Sequence, residues 1–399
     1  MTSGSDILII GGGVAGLSAA AALAAHAKVT VLEAEDAVGF HSSGRSATML
    51  HYALGDRLIR ALTLASRSFF DSPPEGFTEM PLGQPMPVLV HATADERAAL
   101  DALDAEIAPF ARLERLDADG LHEECPLLRT GPAGSLHGLI DRGGLKLDGN
   151  ALLQGFVRQL QRRRGDMRTG ARVANIGREG IVWTVETERG ERYSGDILIN
   201  AAGAWADSVA GLAGVRPIGI QPMRRTIIVF DAPAGIDAST LPFTKTIGDE
   251  LYFGPESGRI FASPMDEVAT DPCDAQPGEY EMALAAHRME ERTTATVERI
   301  VHRWAGLRSF APDRHPVVGF APDADGFFWL AGQGGSRAAD FAGDRQHRPG
   351  VDRGGSVARR GGWRRGFSSR PPRPAVGIGR PSVRRRARTA VRSTPPPKC

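Results

Sequence analysis

The 399-residue sequence predicts an α/β protein of two domains, and three observations carry that reading. The amino terminus runs strand, glycine turn, alanine-rich helix, strand. An apolar ILI segment around Leu198 returns to the same sheet after a meander. Residues 216–330 are dominated by short strands with one long helical segment between them. The chain is long enough for two sizeable cores, which excludes small-module readings.

The first element is DILII, a short β-branched strand, followed by Gly11, Gly12 and Gly13. An alanine-rich helix from Val14 to His26 and a second strand, KVTVLE, come next. Residues 7–25 would pass a hydropathy test for a membrane span, but the order of residue types argues for strand, turn and helix instead. The spacing Gly11, Gly13, Gly16 supplies a tight turn, close approach to a pyrophosphate and tight helix–strand contact, with Val14 and Ala15 opening the helix whose free amides face the phosphate. Glu33 ends the second strand seventeen residues past Gly16, where a carboxylate accepts bonds from both ribose hydroxyls. Together these predict a Rossmann-like, three-layer, dinucleotide-binding domain, and an acid at that position disfavours a 2′-phosphate and hence NADPH.

After Glu33, Ser42, Ser43, Ser46 and Thr48 surround Arg45 between Gly39, Gly44 and a following helix. This reads as a polar loop suited to phosphate and ribityl groups, with a solvated turn bearing a surface arginine as the alternative. Helical apolar spacing covers residues 56–70 and 94–116, and PLGQPMPVLVHA between them reads as a proline-limited entry into a strand. A helix from Asp148 to Gln161 starts on an Asp cap. Residues 172–203 supply three strands, a meander through Trp183 and then ILI, so the cofactor domain is discontinuous. Beyond it come TIIVF, ELYFGP, RIFAS, PVVGF and FFWLAG, interrupted by a helix from Pro277 to Thr296, which fits an antiparallel sheet with a covering helix. There is no internal repeat.

Composition refines the class. The formal net charge is +1, yet residues 336–399 alone carry +14 and the rest of the chain −13. The tail combines Gly, Pro and Arg without periodic apolar positions and predicts disorder. A nucleic-acid-binding arm is the functional alternative, weakened because only Trp363 and Phe367 could stack on bases. Cys125, Cys273 and Cys399 are too few and too scattered for a disulfide framework or metal cluster, which points to a reducing compartment. No basic segment or cleavage site marks a secretory signal, so a cytoplasmic location is expected, with peripheral attachment at the inner face of the membrane left open. No metal site is expected, since no ligand spacing is convincing.

Four stretches, DILIIGGGVAGLSAA, HSSGRSA, ILINAAGAWAD and WLAGQGG, resemble the FAD-dependent D-amino-acid oxidase/dehydrogenase superfamily. Through SRSFFDSPPEGF, GLAGVRPIGIQPMRR and WAGLRSFAPD the chain is more similar still to the bacterial D-arginine dehydrogenases and related D-amino-acid dehydrogenases. The resemblance covers about residues 5–335. It implies an FAD-binding domain of residues 5–75, 145–215 and 303–335, a substrate domain of residues 76–144 and 216–302, and a basic, disordered or aberrant tail at 336–399. It also implies oxidative deamination of a D-amino acid to a 2-oxo acid and ammonia by hydride transfer to flavin, with a quinone or other carrier rather than oxygen as electron acceptor. A monomer without a specific nucleic-acid partner is expected.

Residue by residue, the resemblance implies that Arg308 grips the α-carboxylate with help from Tyr252 and from Arg225, although adjacent Arg224 could exchange roles with Arg225. Glu33 and the glycine loop match the adenosine and pyrophosphate contacts. Ser42, Arg45 and Ser46 match the phosphate–ribityl segment, and Ala202, Gly203, Gly332, Gly334 and Gly335 match backbone contacts to the cofactor. Val173 lies beside adenine or is a plain sheet-core valine. His41 belongs to the cofactor loop, His51 is a surface residue or a replacement pocket donor, and Asp313, Arg314 and His315 form a solvated turn.

Departures from the pattern shape the pocket. Where the D-arginine enzymes carry a glutamate for the substrate guanidinium, this chain has Val88; their active-site histidine is matched by Met49 and their lid tyrosine by Leu54. A buried charge without a partner costs several kcal/mol, so cationic substrates should bind poorly and neutral apolar D-amino acids well. The resemblance stops after Gly335, where relatives continue into an apolar helix, and the switch in composition suggests a shifted reading frame. A glycine- or sarcosine-type amine oxidase, a 2-hydroxy-acid dehydrogenase and a catalytically defective flavoprotein are the other readings.

Overall fold

A computed structural model describes residues 2–335. The expectations for residues 336–399 lie outside the described residues.

A six-stranded sheet forms the cofactor side, in the order Asp166–Arg168, Val29–Leu32, Ile7–Ile10, Ile197–Asn200, Phe327–Ala331, Val317–Phe320. All neighbours are parallel except the last pair. The central strands are buried on both faces, which explains why they read as unbroken β-branched runs. One face is covered by the helices Val14–Leu23 and Gly149–Arg162, and the other by a four-stranded sheet that includes Val173–Glu179, Val182–Thr187 and Arg192–Gly195. These are the three layers the sequence predicts. The meander has one strand more than expected, Arg192–Gly195, because the turn at Gly190 doubles the chain back before it enters the core sheet.

Local signals explain the helix boundaries. Asp148 accepts from the Ala151 amide at 2.8 Å and starts the helix Gly149–Arg162. Asp56 does the same for Arg57–Asp71 through the Leu58 and Ile59 amides. The helix expected over 94–116 is shorter, Arg97–Ile107, and Glu114–Leu116 is a strand. Pro109 explains the difference, since it lacks an amide and its ring clashes with the preceding turn.

The second sheet has nine strands. Its main path runs Val268–Ala269, Gln221–Phe230, Arg259–Ser263, Tyr252–Glu256, Phe243–Thr246, Val88–Ala92, His137–Asp141, Glu114–Leu116, and Ile300–Phe310 pairs along Gln221–Phe230. It is antiparallel except where Phe243–Thr246 lies parallel to Val88–Ala92. The helix Glu279–Arg292 packs on one face through Ala285 and Met289. The strand Ile300–Phe310 belongs wholly to this sheet, so the boundary expected at residue 303 falls inside a strand rather than between domains.

Candidate active site

The glycine turn is forced by close backbone approaches. Gly11 has φ +113°, and a Cβ there would lie 2.3 Å from the Ala201 carbonyl oxygen; a Cβ on Gly16 would lie 1.9 Å from that of Gly11. No side chain fits at either position. Beside the turn, the Glu33 carboxylate accepts from the Gly12 amide at 2.6 Å and from the Glu35 amide at 2.9 Å. Burial raises its pKa while these two bonds oppose the rise. Each oxygen keeps a lone pair for a ribose hydroxyl.

These residues open onto a cavity of about 250 Å³. Of the residues expected to hold the cofactor, Gly11, Gly13, Val14, Ala15, Glu33, Ser42, Val173, Ala202, Gly203 and Gly334 line it. Gly16 lies behind the turn as a packing contact. Gly332 and Gly334 adopt φ +77° and +53° in the loop that closes one end, and Gly335 abuts the Arg308 guanidinium.

Arg45 departs from expectation. Its guanidinium pairs with Asp274 at 2.6 Å and donates to the Ala275 and Ala305 carbonyls, so it ties the loop to the strand Ile300–Phe310 instead of lining the cavity. Ser46 also lies off the cavity, caps the Thr48 amide at 3.2 Å, and is followed by the short strand Met49–Leu50 rather than a helix. Ser42 donates to the Leu307 carbonyl at 2.7 Å.

Sequence reasoning gave no specific role to Ser43, whose hydroxyl accepts from the Val14 amide at 3.1 Å. It missed Trp205 and Arg172, which also line the cavity; Arg172 pairs with Glu35. His41 lines it too, hydrogen-bonded to Glu35 and 4.5 Å from the Trp205 ring.

Strand register gathers the expected substrate residues on one sheet face. Met223 is opposite Arg308 and Arg225 opposite Gly306, so Arg225 and Arg308 share a face. Arg224 points the other way and pairs with Glu281 at 3.1 Å under the covering helix, so it is Arg225 and not Arg224 that shares the face of Arg308. Tyr252, Phe243, Phe261, Val88, Ile227 and Val229 form the apolar part of the same face, with Met49 packed against it. Leu54 lies half-buried in the neighbouring loop.

Arg308 sits deep in the protein yet keeps part of its surface in contact with solvent, as expected of a side chain lining a concavity. Burial, then the charge of Arg225, lowers its pKa to about 10, so it remains a cation at neutral pH. None of the described residues accepts a hydrogen bond from its guanidinium. Arg225 is more committed: Nε donates to the Asp266 carbonyl at 2.7 Å and Nη2 reaches Glu267 at 3.4 Å, but the buried Nη1 has no acceptor among the described residues. The Tyr252 hydroxyl has no partner among the described residues.

His51 is buried beside Phe243, not on the surface, and its Nδ1 lacks a partner among the described residues. Burial, then the nearby Lys245 charge, pushes its pKa down to about 3, so it is neutral. Asp313 and His315 lie in an exposed turn, His315 bonded to Asp56 at 2.6 Å, while Arg314 pairs with Glu267. Among the described residues no group of three His, Cys, Asp or Glu could hold a metal ion, and no helix is long and apolar enough to cross a membrane.

The chain spans 62% of the length of a curated relative that it matches, glycerol-3-phosphate dehydrogenase 1 of Mycobacterium bovis, at 25% identity over 328 residues and 76% of this chain. The solved structure of the L-alpha-glycerophosphate oxidase of Mycoplasma pneumoniae with FAD bound superposes with a TM-score of 0.75 at 19% identity, covering 86% of this chain and 94% of that one. L-proline dehydrogenase from P. horikoshii gives 0.74 at 20% identity, over 86% and 92%. At these identities the likeness concerns the fold. The profile of one family, described as FAD dependent oxidoreductase (DAO), matches residues 6–339. The glycine cradle that a Cβ would fill, Glu33 with lone pairs to spare and the cavity between them suit that cofactor. The chain belongs to the family of FAD-dependent oxidoreductases, with FAD as its cofactor.

Proposed function

We propose that the chain oxidatively deaminates D-amino acids to 2-oxo acids and ammonia, as a dehydrogenase that favours neutral apolar side chains over cationic ones. The observation that carries this reading is Arg308: a deep cation without an acceptor among the described residues, between Tyr252 and Arg225 on one side and the loop closing the cofactor cavity on the other. A planar guanidinium fits a carboxylate through two parallel hydrogen bonds. Glu33 and the glycine turn would hold the adenosine and pyrophosphate of FAD, which when bound supplies the acceptor for a hydride.

The chain's own residues bind and orient. Arg308 and Tyr252 hold the α-carboxylate, and Arg225 adds positive potential from a fixed position. The apolar face around Val88, Phe243 and Phe261 takes the side chain and excludes water. In the reaction, the substrate's Cα–H bond breaks with its electron pair, the amine lone pair completes a C=N bond, and water converts the imine to 2-oxo acid and ammonia. No side chain needs to abstract the α-hydrogen as a proton, in keeping with the neutral, deeply buried His51. The D configuration, the quinone-type acceptor, the cytoplasmic location and the likeness to D-arginine dehydrogenases belong to the same proposal.

The test is anaerobic bleaching of the bound flavin by D-leucine, D-methionine, D-phenylalanine, D-arginine, their L-forms, glycine, sarcosine and glycerol 3-phosphate. Faster bleaching by D-leucine than by D-arginine supports the reading. Bleaching by glycerol 3-phosphate alone replaces it with oxidation of a phosphorylated alcohol, in which the same arginines would hold phosphate. A shifted reading frame after Gly335 is a separate proposal, which resequencing of the gene tests.

A further inference from the structure

The apolar face that bears Val88 also bears a buried cation. Lys245 is the register partner of Tyr252, which places the two Cα atoms about 5 Å apart with both side chains on one face. It is also the parallel neighbour of Val90, one inward position beyond Val88. Only 7% of Lys245 is exposed. Its ammonium donates to Asp249 and, at 3.4 Å, to the Ala53 carbonyl. An ammonium has three donors, so one is left without an acceptor among the described residues. Asp249 is mostly exposed, on the turn that follows, and offers a partner that water screens.

A second polar group stands unpaired nearby. The imidazole of His51, only 6% exposed, has no partner for Nδ1 among the described residues, lies 5.6 Å from the Phe243 ring, and is close enough to Lys245 to feel its charge. Buried polar groups in folded proteins are nearly always paired, and two incomplete ones at the end of an apolar wall point to a ligand group that completes them. Tyr252 lies on the strand next to that of Lys245, and Arg308 lies on the same face four strands from it.

We infer that Lys245 and His51 form a subsite for an anionic group at the end of the substrate side chain, so that the pocket accepts amino acids whose apolar stem ends in a carboxylate, such as D-glutamate. The inference rests on the amino-acid reading above and names a substrate class within it. A substrate with two carboxylates would be held at both ends, by Arg308 and by Lys245, across the apolar face that they share. A cationic side chain would meet Lys245 as well as lack a partner at Val88.

The experiment uses the full FAD-loaded chain and two readouts. The first is kcat/KM for D-glutamate relative to D-leucine. The second is calorimetric affinity for two unreactive probes, glutarate and 4-methylpentanoate. Lys245→Met should lower both the D-glutamate to D-leucine ratio and the glutarate to 4-methylpentanoate ratio by about ten- to hundredfold, the range for losing one charge-assisted hydrogen bond. Asp249→Asn, on the exposed partner, should move both ratios the opposite way by severalfold, which keeps the inference testable if Lys245→Met does not fold. Unchanged ratios in either soluble variant overturn the subsite. If no amino acid reacts, the amino-acid reading fails, while glutarate affinity still decides for or against the subsite.

Discussion

Replacing Arg308 by Met should make the protein more stable while removing its grip on carboxylates. The guanidinium has no acceptor among the described residues, is deeply placed and faces the charge of Arg225. A fall in its pKa from 12.5 to about 10 corresponds to about 3 kcal/mol of unfavourable free energy for the charged form. The sign follows from linkage. A cation with a depressed folded pKa costs stability in full at pH values below the folded pKa, and the cost fades as pH rises through about 10 towards 12.5. At pH 7 the whole cost is present, and an unbranched apolar side chain of similar length removes it. Urea denaturation should therefore show Arg308→Met more stable than the wild type by up to about 3 kcal/mol. The same variant should lose about two orders of magnitude in affinity for 4-methylpentanoate, the equivalent of a bidentate charge-assisted contact. That probe should raise the denaturation midpoint of the wild type and leave that of the variant unmoved. A variant destabilised by more than about 1 kcal/mol with its ligand affinity intact would show that Arg308 is a structural residue satisfied in some other way.

Three further outcomes are expected. Gly16→Ala places a Cβ against the Gly11 carbonyl and should weaken FAD binding by about ten- to a hundredfold through local backbone displacement, read by flavin fluorescence after filtration. Arg45→Met breaks a partly buried pair with Asp274 and should lower stability by about 1–3 kcal/mol, with the larger loss in the FAD-loaded protein, measured by denaturation with and without the cofactor. His91, like His51, is held neutral by burial, its pKa pushed down to about 3. Each loses stability as pH falls below the unfolded value near 6.5, because only the unfolded chain takes up the proton. His91→Asn should flatten the dependence of stability on pH between 6 and 4 by about 1.4 kcal/mol per unit, and an unchanged slope would show that His91 is protonated in the folded state. The comparison between variants matters because the raised carboxyls of Glu33, Asp141 and Asp266 act in the opposite direction over part of the same range.

The cofactor half was legible because its constraints are local. A glycine whose Cβ would strike a carbonyl one turn away and an acid seventeen residues on are matters of spacing along one βαβ unit, and Asp148 announces its helix in the same way. The substrate half depends on register between strands far apart in sequence. Nothing local decides whether Arg224 or Arg225 faces Arg308; the antiparallel pairing of Gln221–Phe230 with Ile300–Phe310 does. Arg45 sits in a loop whose composition suits phosphate, but its partner Asp274 is more than two hundred residues away. Lys245 left one faint signal, a lone charge alternating inward with Phe243 in a short strand, and its meaning depends on Tyr252 lying opposite.

The strand Ile300–Phe310 joins the two halves by the simplest property of a strand, the alternation of its side chains. Arg308 faces the proposed substrate side with Arg225, while the next residue, Ser309, lines the cofactor cavity. The backbone of the same stretch receives the cofactor loop: Ser42 donates to the Leu307 carbonyl, Arg45 to that of Ala305, and the Trp304 indole donates back to the Arg45 carbonyl at 3.1 Å. At its far end the Ser309 carbonyl accepts from Gly334 in the closing loop, and a Cβ on Gly335 would touch the Arg308 guanidinium at 3.3 Å. A displacement of the loop after Glu33 therefore cannot leave Arg308 where it is, since the two share a hydrogen-bonded backbone. On the proposed reading, positions outside both sites, Arg45 above all, should bear on both cofactor and carboxylate affinity, and for any such coupling the effect of one ligand on the other must be equal in both directions.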